Sequence, residues 1–170
     1  MSASEKIVAG ARAQRGDRYT PGYVTLRYPN GDVPRGTGVC TDVVIRALRV
    51  AGYDLQRLVH DDMRRAFSRY PDRWGLRRPD PNIDHRRVPN LQVFFTRKGR
   101  ALPTNRGFTP GDIVTWDLPG GLTHIGIVSD RNAGRVPLIL HNIGPVCSEE
   151  NVLFAWPITG HFRFPATDRA

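Results

Sequence analysis

Beyond residue 108 the chain changes its hydrophobic period, and that change limits its fold more than any other feature. Asp112–Asp117, His124–Asp130 and Val136–Asn142 are short runs rich in β-branched residues, separated by Pro119-Gly120-Gly121 and by Arg131-Asn132-Ala133-Gly134. Such runs read as strands joined by tight turns. Phe154–Ile158 and His161–Phe164 are further candidates to close the same sheet. Upstream the period is helical. A short helix is expected near Glu5–Arg15. A second opens at Cys40, where Val43, Val44, Ala47, Leu48 and Ala51 form one apolar stripe. Thr37 or Thr41 can cap it, Arg46 and Arg49 are expected to point outward, and Gly52 ends it. A third helix should run from Leu55 to about Tyr70, with Leu58, Val59, Met63, Ala66 and Phe67 inside. Trp74–Val88, broken by Pro79 and Pro81, reads as extended or looped, and Leu91–Lys98 as a short helix or a strand. Helices first and an antiparallel meander after them make an α+β domain, its N-terminal helices packed on a C-terminal antiparallel sheet.

A chain of 170 residues suits one domain, 1–170, in which 1–20 is expected to be a flexible N-terminal segment. With 39% apolar residues it can bury a core, yet no apolar run approaches the roughly 20 residues of a membrane span. The opening Met1-Ser2-Ala3-Ser4-Glu5-Lys6 has no apolar stretch of the signal-peptide kind, so export would need another route or a leader already removed. Two cysteines, Cys40 and Cys147, are too few for a disulfide framework.

The net charge is 25 − 16 = +9, and it is concentrated. Between Arg64 and Arg106 lie twelve Lys or Arg residues, opposed by Asp72, Asp80 and Asp84 alone. A field of that sign attracts polyanions: nucleic acid, an anionic membrane or an acidic wall polymer. The plain alternative is a solvated basic face. No recognised nucleic-acid motif accompanies it.

Three elements carry chemistry. Cys40 sits where a Gly-containing loop meets a helix N-terminus, where N–H groups and the helix dipole favour a thiolate and can stabilise an oxyanion. Nothing comparable surrounds Cys147. His124 follows a Gly-Gly turn and opens a strand. Ile125 and Ile127 face one way, His124, Gly126 and Val128 the other, and Gly126 leaves room for a close neighbour, expected to be the Cys40 helix. The next strand ends on His141-Asn142. A histidine base needs an acceptor on its second ring nitrogen, and side-chain alternation lets only one of these two face His124. His141 is preferred, with Asn142 the alternative. Asp84-His85-Arg86-Arg87 has two readings. Asp84 or His85 lines a cleft while Arg86 or Arg87 grips a substrate carboxylate, or the segment is a salt-bridged loop. His60, His85, His124 and His141 lack metal-ligand spacing, so no metal and no cofactor is expected.

At Cys40, at Pro110-Gly111-Asp112-Ile113 with His124-Ile125-Gly126-Ile127, and at Ile139-Leu140-His141, the sequence resembles the NlpC-type, papain-like cysteine peptidases of bacterial cell-wall metabolism. It resembles still more the family DUF1287, through Gly38–Ala47, Asp80–Leu91, His124–Asp130 and His141–Gly144, over roughly Gly22 to Phe164. The resemblance implies a papain-like core, a triad of Cys40, His124 and His141, and a tyrosine near the oxyanion site, for which Tyr28 is the candidate and Tyr23 the second. It departs from the NlpC pattern Asp-Cys-Ser-Gly, since Val39-Cys40-Thr41-Asp42 stands here, which puts Thr41 and Asp42 beside the oxyanion site. It also carries an Arg-rich insertion, 55–107, between Cys40 and His124. The implied activity is amide hydrolysis through an acyl-enzyme, on peptidoglycan or another anionic wall polymer, in the periplasm or outside the cell. An immunity protein would be a partner if the enzyme were a toxin. Acyl transfer or ester hydrolysis on the same scaffold, a nucleic-acid-binding module built on the Arg-rich segment, and a non-catalytic wall-binding domain are the rival readings.

Overall fold

The helices that open at Ala3, Cys40 and Leu55 begin where a side chain accepts a backbone N–H, and these starts fix the ends that matter for function. The computed structural model describes residues 1–165; the last five residues of the expected 1–170 domain lie outside the described residues. Helix α1 (Ala3–Arg12) opens on a capping box, in which Ser2 Oγ accepts the Glu5 N–H and Glu5 returns the bond to the Ser2 N–H. Helix α2 (Cys40–Val50) is capped by neither threonine: Asp42 reaches back to accept the Val39 N–H at 2.8 Å. Helix α3 (Leu55–Ala66) starts on Asp54, whose side chain accepts the Gln56 N–H, and a 3-10 turn, Phe67–Arg69, completes the expected span. Trp74–Val88 is looped as expected, apart from a 3-10 turn at Asp84–Arg86. Helix α4 (Val88–Arg97) resolves the Leu91–Lys98 ambiguity in favour of a helix.

Two short strands, β1 (Arg18–Tyr19) and β2 (Thr37–Gly38), pair in parallel just before α2. The main sheet holds β3 (Ile113–Leu118), β4 (Leu122–Ala133), β5 (Val136–His141), β6 (Ser148–Glu150) and β7 (Ile158–Phe162), in the order β6-β5-β4-β3-β7, all antiparallel. The expected strand at Phe154–Ile158 is absent except for its last residue, and β6 was not foreseen, since Ser-Glu-Glu has no apolar alternation.

Period-two alternation splits the sheet cleanly. Ile113, Ile125, Ile127, Leu140 and Phe162 face the helices and join Val44, Leu48, Leu91, Phe94 and Phe95 in the main core. Val114, Trp116, Val128 and Ile139 face the other way, under Leu153, Val152 and Trp156. Burying each such large side chain contributes about 1.5–3 kcal/mol. Two expectations change here. Residues 1–20 do not form a loose arm, because Ile7, Val8 and Ala11 are buried against α2. Within 55–107, Leu91, Phe94 and Phe95 of α4 are core residues with no exposed surface. Arg46 and Arg49 do not point freely into solvent. Arg46 binds Asp32 and Asp17, and Arg49 binds Asp54, tying the Tyr19–Gly38 loop and the start of α3 to α2.

Candidate active site

The hydrogen bonds of the sheet place two histidines in one line. In the β4–β5 register Ile127 lies opposite Leu140 and Val128 opposite Ile139, which puts His141 across from Gly126 and one step from His124. His124 Nε2 and His141 Nδ1 are 2.8 Å apart, and His141 Nε2 lies 3.0 Å from Glu150 Oε1 on β6. Both imidazoles are buried, stacked or edge-on against Trp116 and Trp156. The line settles the tautomers from its outer end. A carboxylate only accepts, so His141 Nε2–H donates to Glu150. His141 Nδ1 is then a lone pair that accepts His124 Nε2–H, and His124 Nδ1 is left as a lone pair able to take a proton.

Gly126 is what lets the two rings approach. A Cβ there would lie 2.8 Å from Ile139 Cγ2 and 3.2 Å from His141 Cβ. The neighbour for which the glycine leaves room is therefore the His141 strand, not the Cys40 helix.

Cys40 heads α2 half-buried, and the Ile125 backbone N–H donates to its sulfur. That bond sets the sulfur against the peptide that links His124 to Ile125. The Thr41 and Cys40 N–H groups of the helix start point at it as well. These donors do not prevail. Burial pushes the Cys40 thiol up to about 11, and Asp42 adds to the rise. Burial first and His141 second hold His124 down to about 3. The resting pair is neutral thiol and neutral imidazole, not the thiolate that the helix start by itself favours. His141 is also held low by burial, partly offset by Glu150. Cys147 is a free thiol in the main core, pushed up to about 12 by burial.

The remaining expected site residues divide. Asn142 does not orient His124: its Nδ2 donates to Asp17 O and its Oδ1 accepts the Gly144 N–H. Thr41 Oγ1 donates to Arg86 O, and Asp42 takes a two-nitrogen grip from the Arg86 guanidinium at 2.9 and 3.1 Å. Asp42, Thr41 and Arg86 thus clamp the start of α2; Arg86 also lines the Cys40 groove, but its guanidinium is committed to Asp42 and to Gly22 O. His85 is buried with 1% exposure, its Nδ1 unpartnered, and burial lowers it to about 4. Arg87 does line the groove that contains Cys40, together with Tyr19, Tyr23, Arg73, Trp74 and Thr123, in a volume of about 560 Å³. Its guanidinium lies 4.2 Å above the Trp74 ring. Tyr28 is elsewhere, edge-on to His60 of α3 at 5.1 Å. The tyrosine beside the sulfur is Tyr19, brought there by the β1–β2 pairing, while Tyr23 donates to Asp80. The resemblance to NlpC-type peptidases points to Tyr28; the parallel β1–β2 pairing places Tyr19 there instead. Glu150 was also missed, since an acidic residue on a three-residue edge strand carries no local signal. Among the described residues no cluster of three His, Cys, Asp or Glu side chains is arranged to hold a metal ion, and no helix is long and apolar enough to cross a membrane.

The family described as a domain of unknown function, DUF1287, matches residues 7–164. An uncharacterized protein of Escherichia coli (strain K12), YijF, is 54% identical over 164 residues, which is 93% of this chain and 80% of that one. Among solved structures, NlpC1 from Trichomonas vaginalis superposes with a TM-score of 0.57 at 15% identity over 96% of this chain; the chain spans 44% of its length. The P60 domain of an antigen from M. avium paratuberculosis gives 0.49 at 15% identity, over 95% of this chain and 92% of that one. The likeness to NlpC1 makes the fold one of the NlpC kind.

Proposed function

The chain belongs to the DUF1287 family, and on that premise we propose that it is a cysteine hydrolase that cleaves an amide bond, with Cys40 as nucleophile, His124 as base and His141 and Glu150 behind it. The observation that carries the reading is the hydrogen-bonded line His124–His141–Glu150, held on a strand whose next peptide N–H, that of Ile125, donates to the Cys40 sulfur. Two buried imidazoles in line with a carboxylate leave one free ring nitrogen on His124, and a proton from the helix-start cysteine is what that nitrogen would receive.

In this mechanism the thiol stays protonated until a carbonyl carbon lies against it. His124 Nδ1 then takes the Cys40 proton as the S–C bond forms. Positive charge on His124 is shared with His141 and answered by Glu150, which offsets the burial that keeps both rings neutral at rest. N–H groups at the start of α2, and the Tyr19 hydroxyl, are the donors for the oxyanion. His124 returns the proton to the leaving amine as the C–N bond breaks. Water, deprotonated by the same ring, releases the acid and restores the thiol.

For substrate, the groove favours a chain with carboxylates. Arg73 and Arg87 line it and Arg77 and Arg78 are exposed in the same basic segment. Peptidoglycan, cut in its stem peptide or at the amide link to the sugar, fits that charge, and places the enzyme's work in the periplasm or outside the cell. Mass spectrometry of purified peptidoglycan fragments after incubation with wild type and Cys40→Ala tests it. New termini formed by wild type alone support the reading; identical fragments from both proteins defeat it.

A further inference from the structure

The Arg-rich segment encloses a second cavity, of about 330 Å³, separate from the Cys40 groove except that Trp74 borders both. Much of its wall is apolar, from Met63, Phe67, Leu76 and Trp74. Its charged groups are of one sign. Asp72 and Asp84 line it, and among the described residues no Lys or Arg does, although twelve lie between Arg64 and Arg106.

Two polar atoms of residues that line it are unsatisfied. Asp84 and Asn90 are 2% and 1% exposed, and the Oδ1 of each is buried without a hydrogen-bond partner. Their other ends are committed. Asp84 Oδ2 accepts the Asp80 N–H at 2.6 Å, and Asn90 Nδ2 donates to the Asp84 carbonyl at 3.1 Å. The second bond fixes which end of the Asn90 amide is free: an acceptor. A buried acceptor left unpaired costs about 1–3 kcal/mol, and two on residues that line one cavity, one of them a carboxylate, call for a donor that also carries positive charge.

We propose that this cavity binds a protonated primary amine on an apolar stem, the ammonium donating to Asp84 Oδ1 and Asn90 Oδ1 and the stem lying against Phe67, Trp74 and Leu76. An ammonium supplies three donors and the charge; a hydroxyl supplies one donor and none. Burial, the largest effect, pushes the Asp84 carboxyl up to about 6, with Arg87 pulling the other way. At neutral pH the cavity therefore holds a negative charge that no ion pair inside it answers. The amine belongs either to a free small molecule or to a side chain of a polymer lying in the Cys40 groove on the far side of Trp74. Neither source requires Cys40 to be a nucleophile.

The test is a titration of the full chain at pH 7.5 with 1-aminohexane, followed by amide and indole N–H chemical shifts, with hexan-1-ol as the neutral isostere. The amine should shift the Trp74 indole and the Asp84 and Asn90 amides, and should bind at least about tenfold more tightly than the alcohol, a difference near 1.4 kcal/mol. Asp84→Asn keeps an acceptor for the Asp80 N–H and should lose that preference while binding the alcohol as before. Equal binding of amine and alcohol, shifts confined to other sites, or an unchanged preference in a folded Asp84→Asn protein would overturn the proposal. Source is read separately from alkylation of Cys40. Protection by a lysine-containing peptide, lost on Nε-acetylation, assigns the amine to a chain in the groove; amine binding without such protection assigns it to a free ligand.

Discussion

Adding one methyl group at Gly126 should cost more activity than stability, and the structure gives the sizes. A Cβ at 126 would lie 2.8 Å from Ile139 Cγ2, and 3.2 Å from both His141 Cβ and Leu140 O. Carbon atoms ordinarily meet at about 3.5–4.0 Å, so the first overlap is about 0.7 Å and that with His141 about 0.3 Å. Neither neighbour is the loose end of a flexible chain: Ile139 is fully buried under Trp116 and Leu153, and His141 is held at both ring nitrogens. Overpacking of this kind costs about 1–3 kcal/mol of stability. The catalytic loss has a different origin. Moving His141 by a few tenths of an ångström stretches its 2.8 Å bond to His124, releases the His124 tautomer and shifts Nδ1 from the sulfur. Misplacements approaching 1 Å cost about 10²-fold, so a fall of about 10–10²-fold in kcat is expected. Urea unfolding gives the first quantity, and the rate of peptidoglycan-fragment release at full folding gives the second. A Gly126→Ala protein of reduced stability with undiminished kcat would refute the idea that the His124–His141 line runs the reaction.

Glu150→Ala should slow turnover by about tenfold, since a hydrogen bond to a half-exposed charge sits at the lower end of about 1.5–3 kcal/mol; Glu150→Gln, whose carbonyl still accepts, should recover most of it. Imidazole nitrogen shifts would report the His141 tautomer, and an alanine variant with wild-type rate and tautomer would remove Glu150 from the line. Iodoacetamide alkylation of Cys40 should inflect above the free-thiol value of about 8.5, because burial outweighs the donors at the sulfur; an inflection below it would show that a resting thiolate forms after all. Acid should destabilise the fold early. His124 and His85 stay neutral when folded, to about 3 and about 4, while the unfolded chain takes up protons below about 6.5. The unfolded state then binds more protons, so stability present above that value is lost as pH falls through 6.5 toward 3–4, by about 2 kcal/mol per histidine at pH 5. Urea midpoints at pH 7.5 and 5 measure this, and a His85→Asn protein with the same slope as wild type would count against the share given to His85.

Much was legible in the chain itself, because it rests on local periodicity. The stripe Val43–Leu48, the turn at Pro119–Gly121 and the alternation of Ile125 and Ile127 each bias the backbone within a few residues, so the order of helices and strands and the places of Cys40 and His124 could be read directly. That only one of His141 and Asn142 can face His124 follows from strand alternation, a local rule; in the structure it is His141 that lies at hydrogen-bond distance. What tertiary structure alone decided are matters of pairing and burial. The parallel β1–β2 contact brings Tyr19, not Tyr28, beside the sulfur. The β5–β6 pairing brings Glu150 to His141 from a segment without any strand signal. The Arg86 guanidinium binds Asp42, and Arg87 lines the groove with its guanidinium over the Trp74 ring. The charge state of the thiol belongs to this second group. A helix N-terminus is visible in sequence and favours the anion, but desolvation depends on everything that packs around the sulfur, and here it is the larger effect.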